Sequence, residues 1–243
     1  MHNEDDIKFD NVEEFSESFD KKLINNMFIK SINGYHFVNT SPVNETIWES
    51  INELIFKKSN IEVLSTSNGS HLSGMDINSS IGKISNKSSK YSKNQTHFDI
   101  SSYRLTTVCS EKNCGDVNEI VKEINDRKNF DLYSFLIRDE NIENKITYNW
   151  LLIPSKFYLL DPASYEWSPL IGKKGKGKNV QIGWQTNEIN GCKMKITFSM
   201  SSQLWLHIKN TEEIKKFVVS SCTVRTDQVI CDYITLYDRR DSL

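Results

Sequence analysis

Residues 131–139 read DLYSFLIRD and residues 145–154 read KITYNWLLIP, parted by ENIEN at 140–144. Both runs are apolar on either side of the strand alternation, which predicts two strands in the middle of a sheet covered on both faces. Just upstream, Val117, Ile120, Val121 and Ile124 fall on one face of a helix predicted from about Asp116 to Arg127, with Gly115 ahead of it. The stretch HFDISSYRLTTV, 97–108, is rich in β-branched and aromatic residues and predicts another strand. Before it, IEVLS (61–65), HLSGMDIN (71–78) and IGKISNKSS (81–89) predict short strands, the last two joined by a tight turn near Asn78 to Gly82. These two and 97–108 are expected to form an antiparallel unit. Further out, Ser41-Pro42 signals a helix start with Ser as the cap, and Val43, Ile47, Ile51, Leu54 and Ile55 follow at helical spacing as a core-facing stripe. Strands, helix, strands is an α/β order, with a mixed central sheet flanked by helices.

The last third is β-rich. A glycine-lysine loop, IGKKGKGKN at 171–179, leads into VQIGWQT, a turn at 187–191 and KMKITFSM, a hairpin with a basic mouth. SSQLWLHI, 201–208, continues as a strand, a helix is expected over 211–219, and 224–238 closes the chain with β-prone residues. The expected organisation is an acidic arm and lead-in over 1–40, a core over 41–160, and a closing region over 161–243 of the same domain.

Composition narrows the function classes. The 243 residues are 37% hydrophobic and 11% aromatic, enough for a real core. Residues 1–20 carry eight acids against Lys8 alone, a net of −7, which leaves the rest, 29 basic against 24 acidic, at +5. The body is mildly basic. No apolar run is long enough to span a membrane, and the acidic start lacks the charged and apolar regions of a secretory signal, so a soluble cytoplasmic protein is expected. Five cysteines without a C-x-x-C pair indicate neither a disulfide framework nor a zinc knuckle.

The stretch most suited to chemistry is HLSGMDINSSIGKISNKSSK, 71–90. Asp76 is followed nine residues later by Ser85-Asn86-Lys87. If Asp76 ends one strand while Ser85 and Lys87 share a face of the next, the hairpin brings a carboxylate and an ammonium together. Phosphodiester hydrolysis needs such a set: a hard cation on oxygen ligands to polarise the phosphate and activate water, and a fixed positive charge. His71 reads as an ordinary loop histidine.

Those residues resemble the PD-(D/E)xK nuclease superfamily, especially its type II restriction endonucleases, which carry an Asp, a gap, an acidic residue, any residue and Lys. The likeness covers about residues 42–154. Gly74-Met75 stands where the family often has Pro, and Ser85 replaces the second acid, a Ser-x-Lys variant completed elsewhere by a glutamate. The resemblance implies a restriction-endonuclease-like core with a C-terminal β-rich extension. It makes Asp76 the metal ligand, Lys87 the catalytic lysine, Mg²⁺ the cofactor and double-stranded DNA the substrate of a homodimer. The missing carboxylate would come from Glu49 or Glu53 on the preceding helix or from Asp99 on the third strand. Analogy favours Glu49 as a catalytic group beside Ser85, although its periodicity lies away from the core stripe, and Asp99 is the second metal candidate.

For nucleic-acid contact, Lys173, Lys174, Lys176 and Lys178 in the Gly-Lys loop suit phosphates, while Arg104 and Gln185 suit base edges. Trp184 and Trp205 read as core or interface aromatics. Two other readings stay open: a nucleic-acid-binding protein without catalysis that uses the Lys-Gly loop, and a protein-interaction module docking through the acidic arm.

Overall fold

The computed structural model describes residues 19–67, 74–174, 177–227 and 229–238. Two helices come first, α1 (Lys21–Val38) and α2 (Glu45–Lys58). Strands β1 (Val63–Thr66), β2 (Ile77–Ser79), β3 (Gly82–Lys90) and β4 (His97–Arg104) lead to helix α3 (Val117–Arg127). Then follow β5 (Leu132–Asp139), β6 (Lys145–Pro154), β7 (Trp167–Lys174), β8 (Lys178–Thr186), β9 (Lys193–Thr197), β10 (Gln203–Lys209) and β11 (Val218–Arg225). A short helix, α4 (Tyr233–Asp238), ends the described chain.

The strands form two sheets. One has the order β1-β2-β3-β5-β6-β11, the other β4-β10-β9-β8-β7. The first is mixed, since β3 and β5 run parallel while its other pairs are antiparallel. Helices α1 and α2 cover one of its faces and the second sheet covers the other. Alternation along β5 shows why its sequence is apolar throughout. Leu132 and Leu136 join Phe28, Trp48 and Ile55 under the helices, while Tyr133, Phe135 and Ile137 join Phe98, Ile100, Met194 and Leu206 between the sheets. Helix α3 closes one side of the inter-sheet core with Ile120 and Ile124. The mixed, helix-flanked sheet expected from residues 131–154 is present.

Several local expectations are corrected. Residues 21–38, taken as lead-in, form an 18-residue helix whose stripe of Ile24, Phe28, Ile32 and His36 is buried at i, i+4 spacing. Its cap is Asp20, which accepts the N–H of Leu23 at 3.0 Å. Helix α2 is capped by Asn44, not Ser41, with the Ile47 N–H donating at 3.0 Å. Strand β4 does not extend the β2–β3 hairpin, because β3 gives its far edge to β5 while β4 pairs with β10 in the other sheet. The helix expected over 211–219 is one turn, Glu212–Lys215, since the chain must be extended from Val218 onwards to pair with β6. The closing segment turns helical at Tyr233. The acidic arm before residue 19 and His71 lie outside the described residues.

Candidate active site

The β2–β3 hairpin registers Ile77 with Ile84 and Ser79 with Gly82. Gly82 needs its missing side chain there, with φ of 120° and the Asp131 carboxylate 3.1 Å from where a Cβ would stand. Asp76 sits one residue before β2 and is pinned on both sides. Its N–H donates to the Ile84 carbonyl at 2.8 Å and its carbonyl accepts the Ser67 N–H at 3.0 Å. Beyond Ile84 no strand among the described residues pairs with this edge of β3, and the main chain of Asn86 meets side chains instead. Its N–H donates to Asp76 Oδ2 at 2.6 Å, and its carbonyl accepts the Lys87 ammonium at 2.8 Å.

Helix α2 supplies two acids to this edge. Glu45 Oε1 is 2.8 Å from Lys87 Nζ, and Glu49 lies one helical turn further on, on the same face. Burial pushes the Glu49 carboxyl up to about 7, helped by the charges of Asp76 and Glu45 and opposed by Lys87. Asp76 is also raised, by burial first. Lys87, the Asn86 N–H and the Ser85 hydroxyl pull it back, and Glu45 pushes it further up. Three carboxylates and one ammonium therefore share one partly desolvated edge, and net negative charge there disfavours its own ionisation. The sequence pairing of Asp76, Ser85, Lys87 and Glu49 is brought together in space. Glu45 was missed, although it stands one turn before Glu49 and was legible as its i−4 neighbour.

The side chain of Asn86 points the other way, beneath α2. Asn52 Nδ2 donates to Asn86 Oδ1 at 2.6 Å and to Ser134 Oγ at 3.0 Å. Ser134 also takes Trp150 Nε1 on its hydroxyl, at 3.0 Å, and Trp48 Nε1 on its carbonyl, at 3.2 Å. Asn52 Oδ1 and Asn86 Nδ2 are buried and find no hydrogen-bond partner among the described residues. One is an acceptor and the other a donor, so the two amides make one of the two bonds open to them.

Other nominated residues lie elsewhere. Asp99 is on β4 in the five-stranded sheet, where its Oδ1 is 2.7 Å from His207 Nδ1. That hydrogen bond, with the charges of His207, His97 and Lys195, holds its carboxyl below the usual range against the opposing effect of burial. It does not join Asp76. Glu53 pairs with Lys57 at 2.5 Å. Arg104 is exposed at the end of β4, its carbonyl accepting Arg127 Nη1 at 2.8 Å. Gln185 is on β8 opposite Lys195. Lys173 and Lys174 end β7 and Lys178 begins β8, at the end of the second sheet opposite β4, and Lys176 lies outside the described residues. Trp184 packs on the inter-sheet core and donates to the Cys114 carbonyl at 2.7 Å. Trp205 turns outward between buried Leu204 and Leu206.

Among the described residues, no three His, Cys, Asp or Glu side chains stand in a ready-made arrangement for a metal ion. The Lys87 ammonium supplies the counter-charge at the Asp76 edge. No described helix is long and apolar enough to cross a membrane. No protein-family model matches the chain, and no curated protein or solved structure matches it either.

Proposed function

We propose that this protein is a divalent-metal-dependent nuclease that hydrolyses DNA phosphodiesters at the Asp76–Lys87 edge. The observation that carries the reading is that Asp76 and Lys87 both hydrogen-bond the main chain of Asn86 while Glu49 stands close enough to feel the charges of both. The donor set fits a hard cation: only oxygen ligands are offered, and both Glu49 and Asp76 carry raised pKa values, a strain a bound cation relieves. Asp76 and Glu49 would hold Mg²⁺, which when bound would polarise a phosphoryl oxygen and acidify water.

The remaining work falls to the chain's own groups. Lys87 offers its ammonium to the charge that builds on the phosphate oxygens. Glu45, 2.8 Å from that ammonium, acts as its positioning residue. The Ser85 hydroxyl and the Asn86 N–H hold the Asp76 carboxylate against rotation. The resemblance to type II restriction endonucleases, with their restriction-endonuclease-like core, extends the proposal to double-stranded DNA cut by a homodimer.

Incubating the purified protein with supercoiled plasmid in Mg²⁺ or in EDTA tests it. Nicked or linear product in Mg²⁺ alone, lost in Asp76→Asn and Lys87→Ala, is the expected result. Plasmid left intact by the wild-type protein across Mg²⁺ and Mn²⁺ overturns the reading.

A further inference from the structure

The outer face of the five-stranded sheet carries a different kind of chemistry. Alternation along β10 buries Leu204, Leu206 and Ile208 and turns Trp205, His207 and Lys209 outward. On β9 the same alternation buries Met194 and Ile196 and turns Lys193 and Lys195 outward. Register then builds rows across the strands. Trp205 stands between Ser101 and Lys195, His207 between Asp99 and Lys193, and Lys209 beside His97. His97, Lys193, Lys195, His207 and Lys209 line one depression of about 400 Å³.

The polar groups there are arranged, not merely exposed. Asp99 fixes His207 through Nδ1 at 2.7 Å, while His207 Nε2 is shut off from solvent and has no hydrogen-bond partner among the described residues. None of the three lysines forms an ion pair among the described residues. Against the three lysines stand two acids among the described residues here, Asp99 on His207 and Glu188 on the rim, so with neutral histidines the balance stays positive by one charge (3 − 2). The face therefore carries surplus positive charge around one aromatic plane.

We propose that this face binds an unpaired nucleic-acid strand, its phosphates along Lys193, Lys195 and Lys209 and a base stacked on Trp205. Charge complementarity selects a polyanion, and the indole selects one with planar groups to stack. The indole selects a single strand over a duplex, because the base faces of a duplex are already stacked on one another and only an unpaired strand offers one to Trp205. A splayed strand lies on such a face with its bases accessible. The surface is separate from the Asp76 edge and needs no metal.

The test is fluorescence anisotropy of a fluorescein-labelled oligothymidylate, titrated with full-length protein in EDTA at low salt. Wild type is expected to bind, with indole fluorescence quenched on saturation. Trp205→Ala should weaken binding by about 10-fold, the lower part of the 1–3 kcal/mol range for one stacked base, and Trp205→Phe should restore most of it. Lys193→Gln with Lys195→Gln should reduce the slope of log affinity against log salt by about 1.4. Thermal melting of each variant shows that these outward-facing changes leave the fold intact. Asp76→Asn should bind like wild type, which keeps a failure of the nuclease reading distinct from a failure here. No binding by the wild type, unchanged binding by the variants, or equal competition by a duplex of the same length would each overturn the proposal.

Discussion

The Asn86 N–H donates to Asp76 Oδ2 across 2.6 Å, one residue before β2 begins, where β3 has no strand neighbour on that side among the described residues. A carboxylate takes the place of a strand, and the carbonyl of the same residue faces the same gap. Asp76→Asn keeps an acceptor for that N–H but removes the charge that burial and Glu45 disfavour. The variant should lose cleavage by more than the roughly 100-fold that loss of a supporting group costs. Metal-free at pH 8, it should melt at a higher temperature than wild type. A variant that cuts plasmid normally removes Asp76 from the site.

Glu49 sets a pH dependence of known sign. Its carboxyl titrates at about 7 in the folded protein against 4.5 as the ordinary value. The folded state therefore holds this proton more tightly than the unfolded chain. Its penalty is absent below pH 4.5, grows as pH rises through that window and is complete above about 7. The group is partly solvated, so the effect is discounted to about 1 kcal/mol, or about 2–4 °C in melting temperature. Glu49→Gln should flatten this decline. Mg²⁺ should raise the melting temperature more at pH 8 than at pH 5, as followed by differential scanning fluorimetry.

Glu45 and Lys87 form a half-exposed pair, worth at most about 1 kcal/mol. Glu45→Gln should leave the melting temperature nearly unchanged while releasing the ammonium. Cleavage at saturating DNA should fall with little change in the DNA concentration giving half-maximal rate, as the proposed role of the pair, positioning a group that acts after binding, requires. A variant with weakened DNA binding and unchanged maximal rate contradicts that role.

His36 works with the opposite sign. Its Nδ1 lies 2.9 Å from the Asn39 carbonyl and its Nε2 2.9 Å from the Tyr148 hydroxyl, which also accepts the Val43 N–H at 3.0 Å. The ring is thus held neutral, Nδ1–H donating and Nε2 accepting. Burial holds its pKa below 6.5, so its contribution is present above that value and is lost as pH falls through it. His36→Gln should reduce this acid-side loss of stability in urea titrations. Tyr148→Phe strands the buried Val43 N–H and should cost about 1–3 kcal/mol at pH 7.5.

The amide pair under α2 links stability to the site. Asn52→Ala removes the donor to Asn86 Oδ1 and opens a cavity beside Trp48 and Trp150, at a cost of about 2–4 kcal/mol in urea unfolding. The main chain of Asn86 then loses its support from the opposite face, and cleavage should drop with stability. Asn52→Asp, which keeps only acceptors facing Asn86 Oδ1, should be at least as damaging.

How much was readable in the linear chain differs from element to element. The paired runs at 131–139 and 145–154 announced a doubly covered sheet because their composition leaves no polar face. Helix α3 was legible from Val117, Ile120, Val121 and Ile124 on one face and from Gly115 ahead of it. Helix α1 was not: Ile24, Phe28 and Ile32 recur at helical spacing, but Asn25 and Asn26 between them and Asn33 and Gly34 just after mute the pattern. Strand β11 was misread because Glu212–Lys215 does start a helix, and only pairing with β6 ends it.

Local order along the chain was sufficient to gather Asp76, Ser85 and Lys87, since a tight hairpin with alternating side chains can hardly avoid bringing them close. Glu49 entered only through the resemblance, beside Glu53 and Asp99, and nothing in the linear order decides among them. That choice belongs to tertiary structure. Helix α2 packs over β3 and β5 and carries Glu45 and Glu49 to the open edge, whereas β4 leaves for the second sheet and takes Asp99 to His207. Hydrophobic periodicity states which face of a segment is buried. It does not state against which partner, and partner choice is what sorted these acids into two separate places.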